Sequence, residues 1–262
     1  MPSAHSSPST QCCDHSCCSY APDTCDAIGT SCSGKLHFVH VPKTGGTSVA
    51  SSFPPSWRRV FMPHLRKAFP SDPCHQKLGW RNVKRQHFTP DELVRCGVVS
   101  ASFFANRTNI CTVRDPVSRL ASGATWNKMN VSSFLAACET ADPRVNHDLW
   151  VHCRPQSDFT RFCHRLVRME SIDAVLFPEL EARGISKRAP AAHIFAARSS
   201  GGVSATTLAT LGMTAGEMAA AMRRYACDFK LAALGWPSLR DMSTPPTGCE
   251  PRDDSRLFRP LR

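Results

Sequence analysis

The sequence contains no apolar run long enough to cross a membrane. A transmembrane helix needs about 18 or more predominantly apolar residues in succession, and none of that length occurs among the 262 residues. The first twenty residues, MPSAHSSPSTQCCDHSCCSY, are polar and lack the apolar segment of a secretory signal peptide. Neither an anchor nor a leader is therefore predicted.

The common nucleotide-binding fingerprints are also absent. No G-x-x-x-x-G-K-[ST] loop and no G-x-G-x-x-G pattern occurs. Neither zinc-finger spacing nor an RNA-binding aromatic signature accompanies the basic residues. These absences argue against an ordinary P-loop kinase, a dinucleotide-binding enzyme and a nucleic-acid partner.

Acidic residues are in short supply. The 21 acidic residues face 32 lysines and arginines, which gives a net charge of +11, and 42% of the chain is hydrophobic. The apolar content suffices for a sizeable core in one domain. The positive charge suits an anionic cofactor and substrate, although dispersed basic residues can equally be a solvated surface.

A glycine-bearing loop follows the first predicted strand. Leu36 to Val41 has β-favouring, apolar character, and Pro42, which has no N–H to donate, ends the strand. Glycines permit positive φ, and the N–H groups of a helix N-terminus together with a lysine favour an anion. We predict that this loop holds a phosphate-like group, with a ligand-free turn as the alternative. Its residues are Pro42, Lys43, Thr44, Gly45, Gly46, Thr47 and Ser48.

A second candidate phosphate site lies in NICTVRDPVSRLASGATW, Asn109 to Trp126. Arg114 falls at the carboxyl end of a predicted strand, where ligands of open α/β sheets bind, and its guanidinium suits a phosphate. Ser122, on the helix that follows, can face the same site, and Asp115 is predicted to cap that helix. The alternative is an ordinary salt-bridged helix start.

Both segments resemble the phosphate-binding elements of the sulfotransferases that use 3′-phosphoadenosine 5′-phosphosulfate (PAPS), in the form found in the Golgi carbohydrate sulfotransferases. P-K-T-G-G-T-S resembles their 5′-phosphosulfate loop. The pattern R-D-P-x-x-R-x-x-S, which resembles their 3′-phosphate element, is matched by Arg114, Asp115, Pro116, Arg119 and Ser122. The family often has an aromatic residue where this chain has Ala124. The resemblance implies PAPS as cosubstrate, bound by the loop, Arg114 and Ser122, and a hydroxyl acceptor, which we expect to be a carbohydrate.

Weaker similarity extends this resemblance from about Lys35 to Trp236. HDLWVHCRPQSDF resembles a family segment of the form R-P-Q-x-x-[FY], and YACDFKLAALGW resembles the closing segment. We expect Arg154, Pro155 and Gln156 to have a structural role, with Gln156 bonded to backbone.

Sulfuryl transfer requires charge neutralisation, positioning and a base. Lys43 is the expected catalytic cation at the leaving oxygen. His87 is the expected catalytic base, because a histidine at this place resembles the carbohydrate subgroup and titrates near neutrality. A packing or surface role for His87 is the alternative; His64 is the second choice, and His40 is expected to pack. The chemistry requires no metal.

Cysteine usage bears on the compartment. The chain has 14 cysteines, six of them before residue 33, and a secretory disulfide set would explain many of them. The family resemblance implies the Golgi lumen or membrane, although no anchor is visible, so either the protein is soluble or its true N-terminus is missing; a cytoplasmic location is the alternative. We expect the cysteine-rich head to be a disordered tail, with metal binding or lipidation as alternatives.

The predicted fold is α/β, a P-loop-like three-layer arrangement with a mainly parallel sheet flanked by helices. We predict a disordered head over residues 1–33, a sulfotransferase domain over 34–240 and a basic disordered tail over 241–262. Strands are predicted at Val98–Phe104, Asn109–Val113 and Ile172–Leu176. Helices are predicted after Gly46, at Thr89–Val94, Val117–Lys128, Ser132–Cys138, Asp158–Glu170, Glu179–Arg183 and Thr214–Leu234.

The sequence is compatible with two other functions. A kinase-like nucleotide-binding protein would share the strand–loop–helix unit, although the G-K-[ST] ending and a clear metal-holding Asp are missing. A non-catalytic anion-binding relative is the second alternative, favoured by Ala124 and by the missing anchor.

Overall fold

The computed structural model describes residues 35–52, 80, 85–97, 100–105, 107–182, 213–238 and 246–250. Within them, three parallel strands form a sheet in the order β1–β2–β3, with Lys35 opposite Arg107 and Ile110 opposite Arg165. The strands are β1 (Lys35–Val39), β2 (Arg107–Val113) and β3 (Arg165–Arg168).

Both faces of the sheet are covered. Phe38 and Ile110 pack on one face with Leu176, whereas Val39 and Cys111, which follow them in sequence, pack on the other. Alternation of this kind is what a strand imposes, since successive side chains point to opposite faces. The architecture is therefore the predicted α/β fold, with a parallel sheet between layers of helix.

The helices are short, and five of them begin at a side-chain cap. They are α1 (Gly46–Ser51), α2 (Pro90–Arg95), α3 (Ala101–Ala105), α4 (Pro116–Trp126), α5 (Val131–Glu139), α6 (Pro143–Cys153), α7 (Ser157–Thr160), α8 (Phe177–Ala182), α9 (Ala215–Arg224) and α10 (Ala226–Ala233). Thr89 and Thr214 form the predicted capping boxes of α2 and α9, and Asp115 accepts from the Ser118 N–H at 2.8 Å. In the described residues no helix is long and apolar enough to cross a membrane.

The helix predicted from Asp158 to Glu170 is wrong after Thr160. The chain turns there and forms β3 beside β2. A disulfide joins Cys163 to Cys111, and the His164 N–H donates to the Asn109 carbonyl at 2.8 Å. These long-range bonds hold the segment against the sheet, which the local apolar spacing could not reveal.

Two predicted strands are also wrong. Ile172–Leu176 is a wide helical turn that buries Ile172 and Leu176 in one core cluster. In the Val98–Phe104 segment, Phe103 lies in helix α3 and is buried, whereas residues 98 and 99 lie outside the described part. In both cases burial of aliphatic or aromatic side chains outweighs their β propensity.

The remaining helical predictions need smaller corrections. Helix α6 was not predicted at all, although Asp142 caps it by accepting from the Arg144 N–H. The helix predicted from Thr214 to Leu234 is divided at Tyr225, whose φ is −108°.

Disulfides tie several elements together. Cys138 pairs with Cys153 and Cys227 with Cys249, so residues of α5 and α6, and of α10 and the 246–250 segment, are joined. Cys96 is also disulfide-bonded. The head, most of the tail and His64 lie outside the described residues.

Candidate active site

The loop after β1 has the left-handed backbone that its sequence predicts. Gly45 has a φ of +87° and Lys43 a φ of +67°. A Cβ added to Gly45 would lie 2.9 Å from Ile172 Cδ1, so this position also has little room for a side chain. The turn therefore depends on glycine for both conformation and space.

Thr44 holds the loop from inside. Its side chain is fully buried, and its hydroxyl donates to the Val41 carbonyl at 2.9 Å and lies 2.9 Å from the Thr112 hydroxyl. The hydroxyl of Thr44 thus links the loop to the end of β2. Thr47 is exposed and Ser48 half-buried at the start of α1, so their hydroxyls are better placed to meet a ligand.

Gly46 allows His40 to lie against the loop. A Cβ at Gly46 would stand 2.1 Å from His40 Cδ2 and 2.3 Å from Nε2. The buried imidazole therefore occupies the space that any other residue at position 46 would need.

Arg119 connects the second motif to the first. Its Nε donates to the Pro42 carbonyl at 2.9 Å, and its side chain is buried. The second arginine of the R-D-P-x-x-R element thus holds Pro42, the first residue of the loop, and does not face solvent.

Lys43 and Arg114 lie at the carboxyl ends of neighbouring parallel strands. Burial, followed by the nearby charge of Arg114, lowers the pKa of Lys43, while Asp148 acts in the opposite direction. Burial also lowers the pKa of Arg114, against the charges of Glu170 and Asp115. Among the described residues, Arg114 Nε is buried with no hydrogen-bond partner. Two partly desolvated cations at one sheet edge favour an anion between them.

Ser122 and Trp126 are four residues apart on α4, so they share a helix face. Ser122 is half-buried, whereas Trp126 is 54% exposed. The Lys43 ammonium lies 4.3 Å from the centre of the Trp126 ring. Ser122 is thus on the same helix face as the aromatic partner of the lysine. Ala124 points elsewhere and packs in the core with Phe134.

His87 lies between two other histidines. Its ring centre is 4.7 Å from that of His40 and 5.4 Å from that of His152. His87 is only 5% exposed, and burial, aided by the neighbouring histidines, holds its pKa well below 6.5. Burial likewise lowers the pKa of His40 to about 3. His87 is therefore neutral at pH 7 and able to accept a proton, but it is a weak and enclosed base.

Sequence reasoning missed three residues beside this site: Trp126, Asp148 and His152. Asp148 and His152 are one turn apart on α6, and their spacing of four residues within HDLWVHC is a signal that could have identified them once a helix had been recognised. Donor atoms of His87, Asp148 and His152 all lie within 4.8 Å of one another.

Together these contacts define an α/β protein with a candidate anion site at the carboxyl edge of a parallel sheet. Comparison of the chain with models of known protein families, with curated proteins and with solved structures finds no match.

Proposed function

We propose that this protein is a sulfotransferase that moves a sulfuryl group from PAPS to a hydroxyl acceptor, which we expect to be a carbohydrate. The observation that carries the proposal is that Lys43 and Arg114, from two motifs 71 positions apart, follow neighbouring parallel strands at one edge of the sheet. PAPS has phosphates at both its 3′ and its 5′ position, and two separate cationic elements suit such a ligand better than a single loop does.

The residues have distinct roles in this proposal. Lys43 neutralises charge on the leaving 5′-phosphate oxygen, and the loop amides with Thr47 and Ser48 hold the phosphosulfate. Arg114 and Ser122 hold the 3′-phosphate. Pro42, Thr44, Gly45 and Gly46 shape the backbone that these contacts require.

His87 is proposed to take the proton of the acceptor hydroxyl. Its neutral imidazole supplies the lone pair, and contact with His40 places it beside the loop at Gly46. The lowered pKa makes the base weaker, so the transfer would depend mainly on charge neutralisation and positioning.

The proposed compartment is the Golgi lumen or membrane, and the alternative is the cytoplasm. Three disulfide pairs among the described residues support a secretory route, because disulfides form and persist in oxidising compartments.

Binding is tested by thermal unfolding with adenosine 3′,5′-bisphosphate or with ATP. At a concentration 100 times its Kd, a ligand of the native state stabilises it by about 2.7 kcal/mol. We expect the bisphosphate to raise the Tm more than ATP does at equal concentration. A larger shift with ATP would favour the kinase-like alternative, and no shift with the bisphosphate would overturn the cosubstrate assignment.

Transfer is tested with labelled PAPS and a panel of polysaccharides, glycolipids and small alcohols. Lys43→Ala should abolish transfer, whereas Lys128→Ala should not. The two lysines form a matched pair, since both have positive φ, +67° and +57°, and Lys128 is exposed. Bisphosphate binding without transfer to any acceptor would identify a non-catalytic anion-binding relative.

A further inference from the structure

We propose that His87, Asp148 and His152 form a binding site for a divalent transition-metal ion, for which Zn²⁺ is the natural probe. One donor atom from each residue lies within 4.8 Å of the other two. The three residues come from two elements: His87 ends the 3₁₀ turn Arg85–His87, and the other two lie on α6.

The donor set selects the kind of metal. Imidazole nitrogens suit zinc, copper, iron and nickel, whereas Ca²⁺ and Mg²⁺ prefer oxygen ligands. Two histidines and one carboxylate leave a fourth position open, as in zinc sites that keep a water or an exchangeable ligand. The site therefore favours Zn²⁺ over Mg²⁺.

His152 is held in place by a backbone hydrogen bond. Its Nδ1–H donates to the Asp148 carbonyl at 2.6 Å, so in the neutral ring Nε2 is the nitrogen with the lone pair that a metal needs. Hydrogen bonding of the second ring nitrogen to a backbone carbonyl is the usual way in which proteins fix a metal-binding imidazole. Only 3% of the His152 side chain is exposed, so the ring has little freedom to turn away.

His87 carries a polar atom for which no partner is found among the described residues. Its Nδ1 is buried and makes no hydrogen bond there, although buried polar atoms are normally bonded. The Nδ1 of His40, whose ring contacts that of His87, is in the same state. An ion in this cluster would supply a partner that the His87 nitrogen does not find in the described part of the chain.

Only small movements are needed to complete the site. Tetrahedral Zn²⁺ with bonds of about 2.0–2.1 Å places its ligand atoms about 3.4 Å apart. The donor atoms lie within 4.8 Å of one another, and we expect rotation of the partly exposed Asp148 side chain to bring them closer.

The position of the site has a consequence for transfer that rests on the proposed function. A metal bound to His87 takes up an imidazole lone pair of the proposed base. It also binds Asp148, whose negative charge stabilises the protonated form of Lys43. Bound Zn²⁺ should therefore inhibit sulfuryl transfer.

The test uses Co²⁺ as a spectroscopic substitute for Zn²⁺ on the full chain with its disulfides intact. We expect visible absorption bands of a four- or five-coordinate ion, at one equivalent per chain, that are removed by adding Zn²⁺. These bands should lack thiolate charge-transfer absorption, which would identify binding by the N-terminal cysteines instead. No bands, or bands with thiolate character alone, would overturn the site.

Variants identify the ligands. Asp148→Asn should weaken Co²⁺ binding at least tenfold and His152→Ala should abolish it. Asp91→Asn, an exposed carboxylate on α2, should bind as the unaltered protein does. Equal affinity in all three variants would exclude these ligands.

One variant distinguishes the loss of a metal ligand from the loss of the fold. Lys43→Ala removes a cation that competes for Asp148, so Co²⁺ affinity should rise a few-fold. A gain of this kind, with bands that lack thiolate character, separates the effect of the lost charge from unfolding, and an unchanged affinity would contradict the proposed position of the ion. If the metal binds while adenosine 3′,5′-bisphosphate does not, the sulfotransferase proposal fails and the metal site stands.

Discussion

The side-chain amide of Gln156 makes a two-way hydrogen bond with the backbone of Arg114. The Arg114 N–H donates to Gln156 Oε1 at 2.9 Å, and Gln156 Nε2 donates to the Arg114 carbonyl at 2.8 Å. Gln156 is itself held by Asp228, whose carboxylate accepts from the N–H groups of Gln156 and Ser157 at 2.7 and 2.8 Å. The backbone of Arg114, which we propose binds the 3′-phosphate, is thus fixed by residues from two distant parts of the chain.

Gln156→Ala should therefore loosen Arg114 as well as destabilise the fold. The loss of both bonds leaves the partly buried N–H and carbonyl of Arg114 unsatisfied, at a cost of about 2 kcal/mol. We expect a lower free energy of unfolding in urea and affinity for adenosine 3′,5′-bisphosphate reduced at least tenfold.

Asn127→Ala is the matched control for Gln156→Ala. It also removes a side-chain amide, one that donates to the Gly123 carbonyl at 2.8 Å at the far end of α4. It should cost stability without changing bisphosphate affinity. Equal losses of affinity in the two variants would show that general destabilisation, not the position of Arg114, is responsible.

Gly46→Ala should destabilise the protein and disrupt the loop. The new methyl group would lie 2.1 Å from the His40 ring, so that either the imidazole or α1 must move. Overpacking of this kind costs about 1–3 kcal/mol. Thermal unfolding measures the loss.

Gly216→Ala is the control, because position 216 is helical and its Cβ would meet only Thr214 Oγ1 at 4.0 Å. Alanine there should leave the Tm unchanged or raise it, since glycine in a helix costs about 0.5–1 kcal/mol relative to alanine. A Gly46→Ala variant as stable as Gly216→Ala would contradict the packing of His40 on the loop.

Trp126→Ala should tighten anion binding with little effect on stability. Lys43 must leave the Trp126 ring to meet a phosphate, and a cation–π contact at an exposed site is worth about 0.5–1 kcal/mol. Its removal should raise affinity for adenosine 3′,5′-bisphosphate about two- to fivefold in calorimetry. Trp126→Phe should be intermediate. A fall in affinity would mean that the indole contacts the ligand itself.

The sequence predicted those parts of the site that depend on local chemistry. The turn at Gly45 and the cap at Asp115 follow from side-chain types at fixed offsets, and both are confirmed. The same holds for the capping boxes at Thr89 and Thr214.

The parts that failed depend on contacts between distant residues. Leu166 and Val167 fit an apolar helix face equally well, and only the bonds from Cys163 and His164 to β2 make that segment a strand. The influence of Asp148 on the pKa of Lys43 depends on the tertiary position of α6, since the two residues are far apart in sequence. The spacing of residues along the chain does not reveal contacts between residues that are distant in sequence.

Acid should unfold this protein because its buried histidines are neutral, and His37 offers the clearest case. Burial, the largest cause, lowers the pKa of His37 from 6.5 to about 3, with Asn109 opposing the shift and Arg107 adding to it. The unfolded chain therefore binds a proton that the native state does not bind between these values. The resulting stability is complete above pH 6.5 and is lost as the pH falls towards 3, by up to about 1.4 kcal/mol per pH unit.

Urea unfolding of the unaltered protein and of His37→Asn at pH 7, 6 and 5 measures how the free energy of unfolding changes with pH. Glu92 and Asp228, whose pKa values burial raises, act with the opposite sign but equally in both proteins. As the pH falls, the free energy of unfolding of His37→Asn should decrease less steeply than that of the unaltered protein, by the equivalent of about one bound proton. Equal slopes would show that His37 is protonated in the folded state.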